Sequence, residues 1–523
     1  MTRILAALAA LMIGLAPAAS QTRAPEGRGQ EPRGQEPRGQ DSRITEIRQP
    51  EGRRLPPDAT TRHALALPDG RRLDLTAVAG SLPLVDEAGK LQAEIAFTAY
   101  LLPDRSPVRP VTFAVNGGPG AASAYLNLGA VGPWRLPLDG GTVSPSAPPV
   151  PVPNAETWLD FTDLVFLDPV GTGYSRAAGD DAKRFYAVDA DAAILASAIA
   201  RWLRANDRMT APKFFLGESY GGFRGPLVAR KLQDEIGIGL SGLVLLSPVL
   251  DFAWLQTPRH TPLGDVTRLP SLAAAGAERR GLAPSPDTQR EAEAYATGEY
   301  LADLLRGPGD GAALDRLARR VADLTGLDPA LVRRQGGRIT AGSYQREAAR
   351  EAGRVASAYD TGITGWDPNP EAAHSGFEDP LLSAMQAPLS SAMVDHYART
   401  LNWRVPNLRY ELLSGAVNRG WSWGSGRVAP EAVAELRQAL ALDGHLRVLV
   451  AHGYTDLVTP YFASKLILDQ LPTYGSRDRL RLAVFPGGHM FYSRQASRAA
   501  LHAEAAALYE AALKARDRTD EGR

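Results

Sequence analysis

The sequence predicts an α/β fold: a mostly parallel central sheet with helices on both faces, interrupted once by an inserted helical cap. Three observations lead there. Between residues 111 and 247, apolar runs of strand length alternate with stretches of helical periodicity. After Pro248 the alternation gives way to helical pattern alone, and it resumes near residue 429. One strand-to-helix junction, Gly217-Glu218-Ser219-Tyr220-Gly221-Gly222, holds a serine flanked by glycines.

Residues 1–20 carry one early cation, Arg3, an apolar stretch over 4–15 and the small residues Ala18-Ala19-Ser20, the pattern of a secretory signal peptide. That stretch is too short to span a bilayer. From Arg28 the unit Arg-Gly-Gln-Glu-Pro runs twice and decays by Ser42, so 21–57 reads as a disordered low-complexity linker. No later run has transmembrane length, and the mature chain is expected to be periplasmic or secreted, with no membrane anchor. The 58 basic and 58 acidic side chains balance, which argues against a nucleic-acid or anionic-membrane partner. With no cysteine in 523 residues, the chain has no disulfide and no thiolate metal site, and neither metal nor cofactor is expected.

Residues 63–67, the turn Pro68-Asp69-Gly70, then 73–78, 93–102 and 111–115 read as successive strands leading into the sheet. Strands over 163–167, 214–216 and 242–247 alternate with helices over 189–205 and 225–234, so 58–251 forms the first part of the core. Helical segments at 287–305, 312–324 and 381–401, with no strand pattern, make 252–428 the cap. A helix over 431–442, strands over 446–451 and 480–484 and a helix over 496–513 complete the core across 429–515. Residues 516–523 are a polar tail.

Serine is a weak nucleophile unless a base lies within hydrogen-bond reach and an acid orients that base. Glycines two before and two after Ser219 let strand and helix approach while the serine takes a strained conformation with its hydroxyl exposed. Gly420-Trp421-Ser422-Trp423-Gly424 matches the same five-residue spacing but follows no apolar strand, so Ser422 is not read as a nucleophile. On an α/β-hydrolase sheet the acid and then the base follow the serine, each after a strand. Asp456 follows the strand ending at Ala451, and His489 follows the strand ending near Val484. His452 and Asp168 also end strands, but their order in the chain makes them structural. The loop Asn116-Gly117-Gly118-Pro119-Gly120 offers backbone N–H groups for an oxyanion, assigned to Gly118 with Tyr220 as the second donor.

With these motifs the chain resembles the serine carboxypeptidases, whose fold is an α/β hydrolase with a helical insertion. The likeness spans about residues 110–250 and 445–495 and includes Pro169-Val170-Gly171-Thr172-Gly173-Tyr174-Ser175. It implies that Asn116, Gly117 and Glu218 bind a substrate's C-terminal carboxylate, with Glu218 protonated, and that the partners are peptides with a free C-terminus. Three positions depart from the family pattern: Ala130, Ala114 and Ala121 stand where it has glutamate, tryptophan and cysteine. Losing the paired carboxyl at 130 weakens the expected acid preference.

An esterase or acyltransferase would use the same triad, and a binding protein on an inactive hydrolase fold is the third reading. The cap aromatics Trp254, Tyr344, Tyr359, Trp366, Trp421 and Trp423 are read as core residues.

Overall fold

A computed structural model describes residues 52–520, apart from 104, 105, 107, 139–143, 147–149, 256 and 373–375. The expected signal peptide, and the linker as far as residue 51, lie outside the described residues. Residues 53–57, read as the linker's end, are instead docked on the sheet. Leu55 is buried, Arg53 pairs with the buried Glu94 at 3.1 Å, and the Pro57 carbonyl accepts from the Trp403 indole. The sequence hid this because a lone leucine among charged residues shows no periodicity.

The central sheet is built from β1 (Ala59–Ala66), β2 (Arg72–Val85), β3 (Leu91–Leu101), β4 (Val111–Val115), β5 (Asp163–Leu167), β6 (Lys213–Glu218), β7 (Gly242–Leu246), β8 (Arg447–Gly453) and β9 (Leu480–Phe485). Their spatial order is β1-β2-β3-β5-β4-β6-β7-β8-β9, with the short strand Arg176–Ala177 paired to β3. From β5 to β9 every pairing is parallel; β1, β2 and β3 join antiparallel. This is the α/β-hydrolase fold. β2 runs further than 73–78 because Gly80 and Pro83 break its sequence pattern. β1 pairs only as far as Ala79, so Pro83 sits on an edge where a missing N–H costs no ladder bond.

Strands buried on both faces read as continuous apolar runs, yet their side chains alternate between two cores. Phe214 and Leu216 of β6 and Val244 and Leu246 of β7 join one; Phe215, Leu243 and Leu245 join the other. Helices α1 (Val188–Ala205), α2 (Tyr220–Lys231) and, beyond the insertion, Val433–Leu442 cover the second face through Ile199, Trp202, Val228 and Leu436. The C-terminal helix Gln495–Asp520 covers the first, its Tyr509 stacking on Phe214 with ring centroids 3.8 Å apart. That helix extends past the reading of 496–513, into the segment taken as a polar tail.

The insertion is mainly helical, including α3 (Leu263–Arg279), α4 (Gly311–Thr325) and α5 (Leu382–Asp395). It also holds a hairpin, Arg354–Ala356 with Thr364–Trp366, whose three-residue strands are too short to show alternation. Its apolar core is continuous with Tyr454, Leu457, Tyr461 and Phe462 from the segment after β8. The cap therefore packs directly on the loop that bears Asp456.

His396, just beyond α5, is buried with its ring against Trp134 and its Nε2 at 2.9 Å from the Tyr100 hydroxyl. Burial, aided by the nearby His63, pushes its pKa down to about 3 from 6.5. The unfolded chain therefore binds this proton first, and its contribution to stability is lost as pH falls from 6.5 toward about 3. His396→Gln is expected to shrink the fall in urea midpoint over that range relative to wild type; an unchanged pH slope would contradict this.

Candidate active site

Ser219 sits at the junction of β6 and α2 with φ 60° and ψ −123°, a conformation L-residues rarely adopt. Its N–H donates to Leu246 O at 2.8 Å, and its own carbonyl accepts from Gly222 and Phe223 at the start of α2. Glycine is required around it because the backbone leaves no room. A Cβ on Gly217 would strike the Gly221 carbonyl, and one on Gly221 the Val115 carbonyl. α2 thus starts at Tyr220, five residues before the helix start read from the sequence. Ser422, in the other matching motif, is exposed and begins no helix.

The glycine loop after β4 lies against this turn. A Cβ on Gly117 would come within 2.6 Å of Tyr220 N and 2.7 Å of Glu218 O. Gly118 takes φ 102°. Neither the Gly118 nor the Tyr220 N–H has a protein acceptor among the described residues. The loop is braced from behind by Arg224 of α2, whose guanidinium donates to the Asn116 carbonyl and pairs with Asp191 of α1. It is also braced by Ser123, which accepts from Asn116 N–H at 3.2 Å and whose own N–H donates to Asp168 at 2.8 Å. Asp168 therefore has the structural role read for it, and burial raises its carboxyl to about 6.

Asp456 and His489 meet across the ends of β8 and β9: Nδ1 of His489 is 2.8 Å from Oδ2 of Asp456, and both are buried. Asp456 Oδ1 accepts from the N–H groups of Val458 and Thr459 at 2.8 and 2.9 Å. Burial would raise the Asp456 pKa, but the His489 charge and these bonds outweigh it and hold it below the usual value. For His489 burial acts downward, and the Asp456 carboxylate more than reverses it, leaving the imidazole pKa raised. The Thr459 hydroxyl, 2.7 Å from Asp456 Oδ2, also contacts His489 Nδ1 and the Ser247 carbonyl. Ser247 donates to the His489 carbonyl at 2.8 Å. His452 is buried, bonded to Ser464 and pushed down to about 4, a neutral core residue as its position suggested.

β6, β7, β8 and β9 are consecutive neighbours, so Ser219, Asp456 and His489 emerge at one edge of the sheet. Among the described residues no hydrogen bond joins Ser219 Oγ to His489. Neither Ser219 Oγ nor His489 Nε2 is among the sealed, unpaired polar atoms, so each keeps access to solvent.

Glu218, beside the serine, is buried, and its Oε2 accepts from Asn116 Nδ2 at 2.7 Å and from the Tyr492 hydroxyl at 2.8 Å. Burial raises its pKa, against the lowering effect of His489 and these two donors. Asn116 Oδ1 accepts from Leu126 N–H, so its side chain is fixed at both ends. Ala130 is buried within Asn127–Val131 and brings no second carboxyl.

Two readings of the cap aromatics need correction: Trp366 is 75% exposed and Trp423 39% exposed, so neither is a core residue. Trp421 is buried, and it and Trp423 contact the Tyr220 ring at 5.3 and 5.6 Å. Tyr359 packs against the core and also meets the His489 ring edge-on at 5.3 Å, its carbonyl accepting the His489 N–H. Among the described residues no group of three or more His, Cys, Asp or Glu could hold a metal.

Residues 97–256 match the family model described as serine carboxypeptidase. This part of the chain is similar to the serine carboxypeptidases. The match takes in Asn116, Gly117, Gly118, Glu218, Ser219 and Tyr220 and ends before Asp456 and His489, whose pairing rests on geometry. The pheromone-processing carboxypeptidase kex1 of Schizosaccharomyces japonicus is 27% identical over 210 residues, covering 39% of this chain and 35% of that protein. KEX1 of Yarrowia lipolytica is 33% identical over 140 residues, covering 26% and 21%. The chain thus matches about a third or less of the length of these curated relatives. Among solved structures, VinJ is 15% identical with a TM-score of 0.36, covering 83% of this chain and 98% of that one. No helix of the described residues is long and apolar enough to cross a membrane.

Gly221→Ala is expected to destabilise the fold by about 1–3 kcal/mol, the range for overpacking a tight site, because its new methyl meets backbone. Gly225→Ala, whose methyl would meet only the tip of Leu245 at 2.7 Å, should be milder. Urea denaturation of both variants checks the order.

Proposed function

We propose that the chain is an exported serine carboxypeptidase that releases C-terminal residues from peptides. The observation that carries this reading is Glu218: a buried carboxyl, held by two donors, one residue before the candidate nucleophile. Such a group repels a substrate carboxylate when ionised and donates a hydrogen bond to it when protonated, and burial favours the protonated form.

Ser219 Oγ attacks the carbonyl carbon of the last peptide bond while His489 Nε2 takes its proton. Asp456 holds Nδ1–H and stabilises the imidazolium. The N–H groups of Gly118 and Tyr220 receive the oxyanion, each worth about 3–4 kcal/mol of barrier. The C–N bond then breaks, His489 returns the proton to the leaving amine, and the terminal residue departs. Water, deprotonated by His489, cleaves the acyl-enzyme and frees the shortened peptide. Asn116, Gly117 and Glu218 seat the terminal carboxylate.

Ser219→Ala should lower kcat by at least about 10⁴-fold, and an organophosphonate should label wild type only at Ser219. Blocked dipeptides with a free C-terminus should be cleaved far faster than their amides. Equal rates on both, with rapid turnover of simple esters, would favour an esterase.

The pH dependence has a definite sign. Glu218 is raised, so carboxylate recognition is present at low pH and lost as pH rises through its pKa. His489 is raised, so the neutral base is lost as pH falls through its own. The two are coupled, and the limbs of kcat/KM belong to the pair. Glu218→Gln is expected to flatten the alkaline limb on free-carboxylate peptides; an alkaline limb identical to wild type would remove Glu218 from this role.

A further inference from the structure

Glu218 has two oxygens, and the protein treats them differently. Asn116 Nδ2 and the Tyr492 hydroxyl both converge on Oε2, from the loop after β4 and from the turn after β9. Oε1 has no protein partner among the described residues and is not one of the sealed polar atoms there. One oxygen is therefore saturated with donors and the other stays open. A proton on a neutral Glu218 has its place on Oε1, since Oε2 already faces two hydrogens.

We propose that Tyr492 is a positioning residue for carboxylate recognition: with Asn116 it fixes Glu218 through Oε2, so that Oε1 alone meets the substrate's terminal carboxylate. This rests on the carboxypeptidase reading above and adds to it a residue 274 positions from Glu218 in the chain.

Tyr492 does more than fill space. A phenol donating to a carboxyl oxygen favours the ionised form, whereas the protonated form is the one that binds a carboxylate. Tyr492 thus sets where along the pH axis Glu218 stops recognising substrate. The other titratable groups around Glu218 are His489, which lowers its pKa, Asp456, which raises it, and Tyr125, Tyr359 and Tyr492, which stay protonated in the working range. Tyr125 comes from the segment after the glycine loop and Tyr359 from the cap, and neither hydrogen-bonds to Glu218 among the described residues.

The test compares wild type, Tyr492→Phe and a variant with 3-fluorotyrosine at position 492, each assayed across pH on a blocked dipeptide with free C-terminus and on its methyl ester. Losing one hydrogen bond to a charged group should move the alkaline limb of kcat/KM for the free acid upward by about one pH unit in Tyr492→Phe. Fluorotyrosine, a stronger donor of the same shape, should move it downward. The ester profile should not shift in either. Limbs that stay at the wild-type pH in both variants, or an ester profile that moves with the acid, would overturn the role of Tyr492 while leaving the carboxypeptidase reading intact. A wild-type enzyme that does not distinguish acid from amide would overturn both. If Tyr492→Phe fails to fold, the fluorotyrosine variant, which keeps the hydrogen bond, decides alone.

Discussion

The site depends on backbone meeting backbone. Gly117 on one loop and Gly221 on the serine turn lie where any side chain would collide with main-chain atoms of the other segment, and one on Gly217 would collide with the turn's own Gly221 carbonyl. That approach sets the glycine loop against the Tyr220 N–H and lets Asn116 reach Glu218. It also requires Ser219 to hold a positive φ, a strain of about 1–3 kcal/mol. The strain persists because β4 and β6 are buried on both faces and paired in parallel register, Val115 opposite Gly217. A sheet open to solvent on one side would have room to relax it.

Three ionisable side chains, Glu218, Asp456 and His489, are buried within this small region. Each is accommodated in its own way. Asp456 and His489 pair, so their pKa values move apart and the pair is charge-balanced when His489 is protonated. Glu218 has no cation bonded to it among the described residues, only two neutral donors, and burial pushes it toward the neutral acid. An acid that is neutral beside a base that is readily charged is the division of labour that the proposed proton transfer and carboxylate recognition would both require.

What the sequence reveals and what it hides follow from contact range. Ser219, Asp456 and His489 each sit in a local pattern, a glycine-flanked turn or a loop after an apolar run; their order in the chain separates them from His452 and Asp168, and the missing apolar strand before Ser422 separates Ser219 from it. The residues that hold them have no such pattern. Thr459, Ser247, Arg224 and Tyr492 act through partners that only the fold brings near, and a lone hydroxyl or arginine in sequence has no periodicity to read. Tyr359 looked like one core aromatic among several because its distinguishing feature, the contact with His489, spans the cap and the last core loop. The sheet was legible wherever strands were long and fully apolar. It was obscured where Gly80 and Pro83 interrupted β2, and at the cap hairpin, where the strands are too short to alternate.

The insertion supports Asp456 and His489. Its segment around Tyr359 accepts the His489 N–H, while the neighbouring Ala358 carbonyl accepts from Leu457, one residue after Asp456. Arg494, five residues past His489, pairs with Glu278 of α3 at 2.6 Å and with Asp360 at 2.7 Å. A Cβ on Gly488 would strike the Tyr359 carbonyl. A movement of this part of the cap would therefore carry the imidazole with it, because main-chain contacts and a partly buried ion-pair cluster join them. The stretch from Ser357 to Ile363 is thereby constrained by its main-chain bonds to His489 and Leu457.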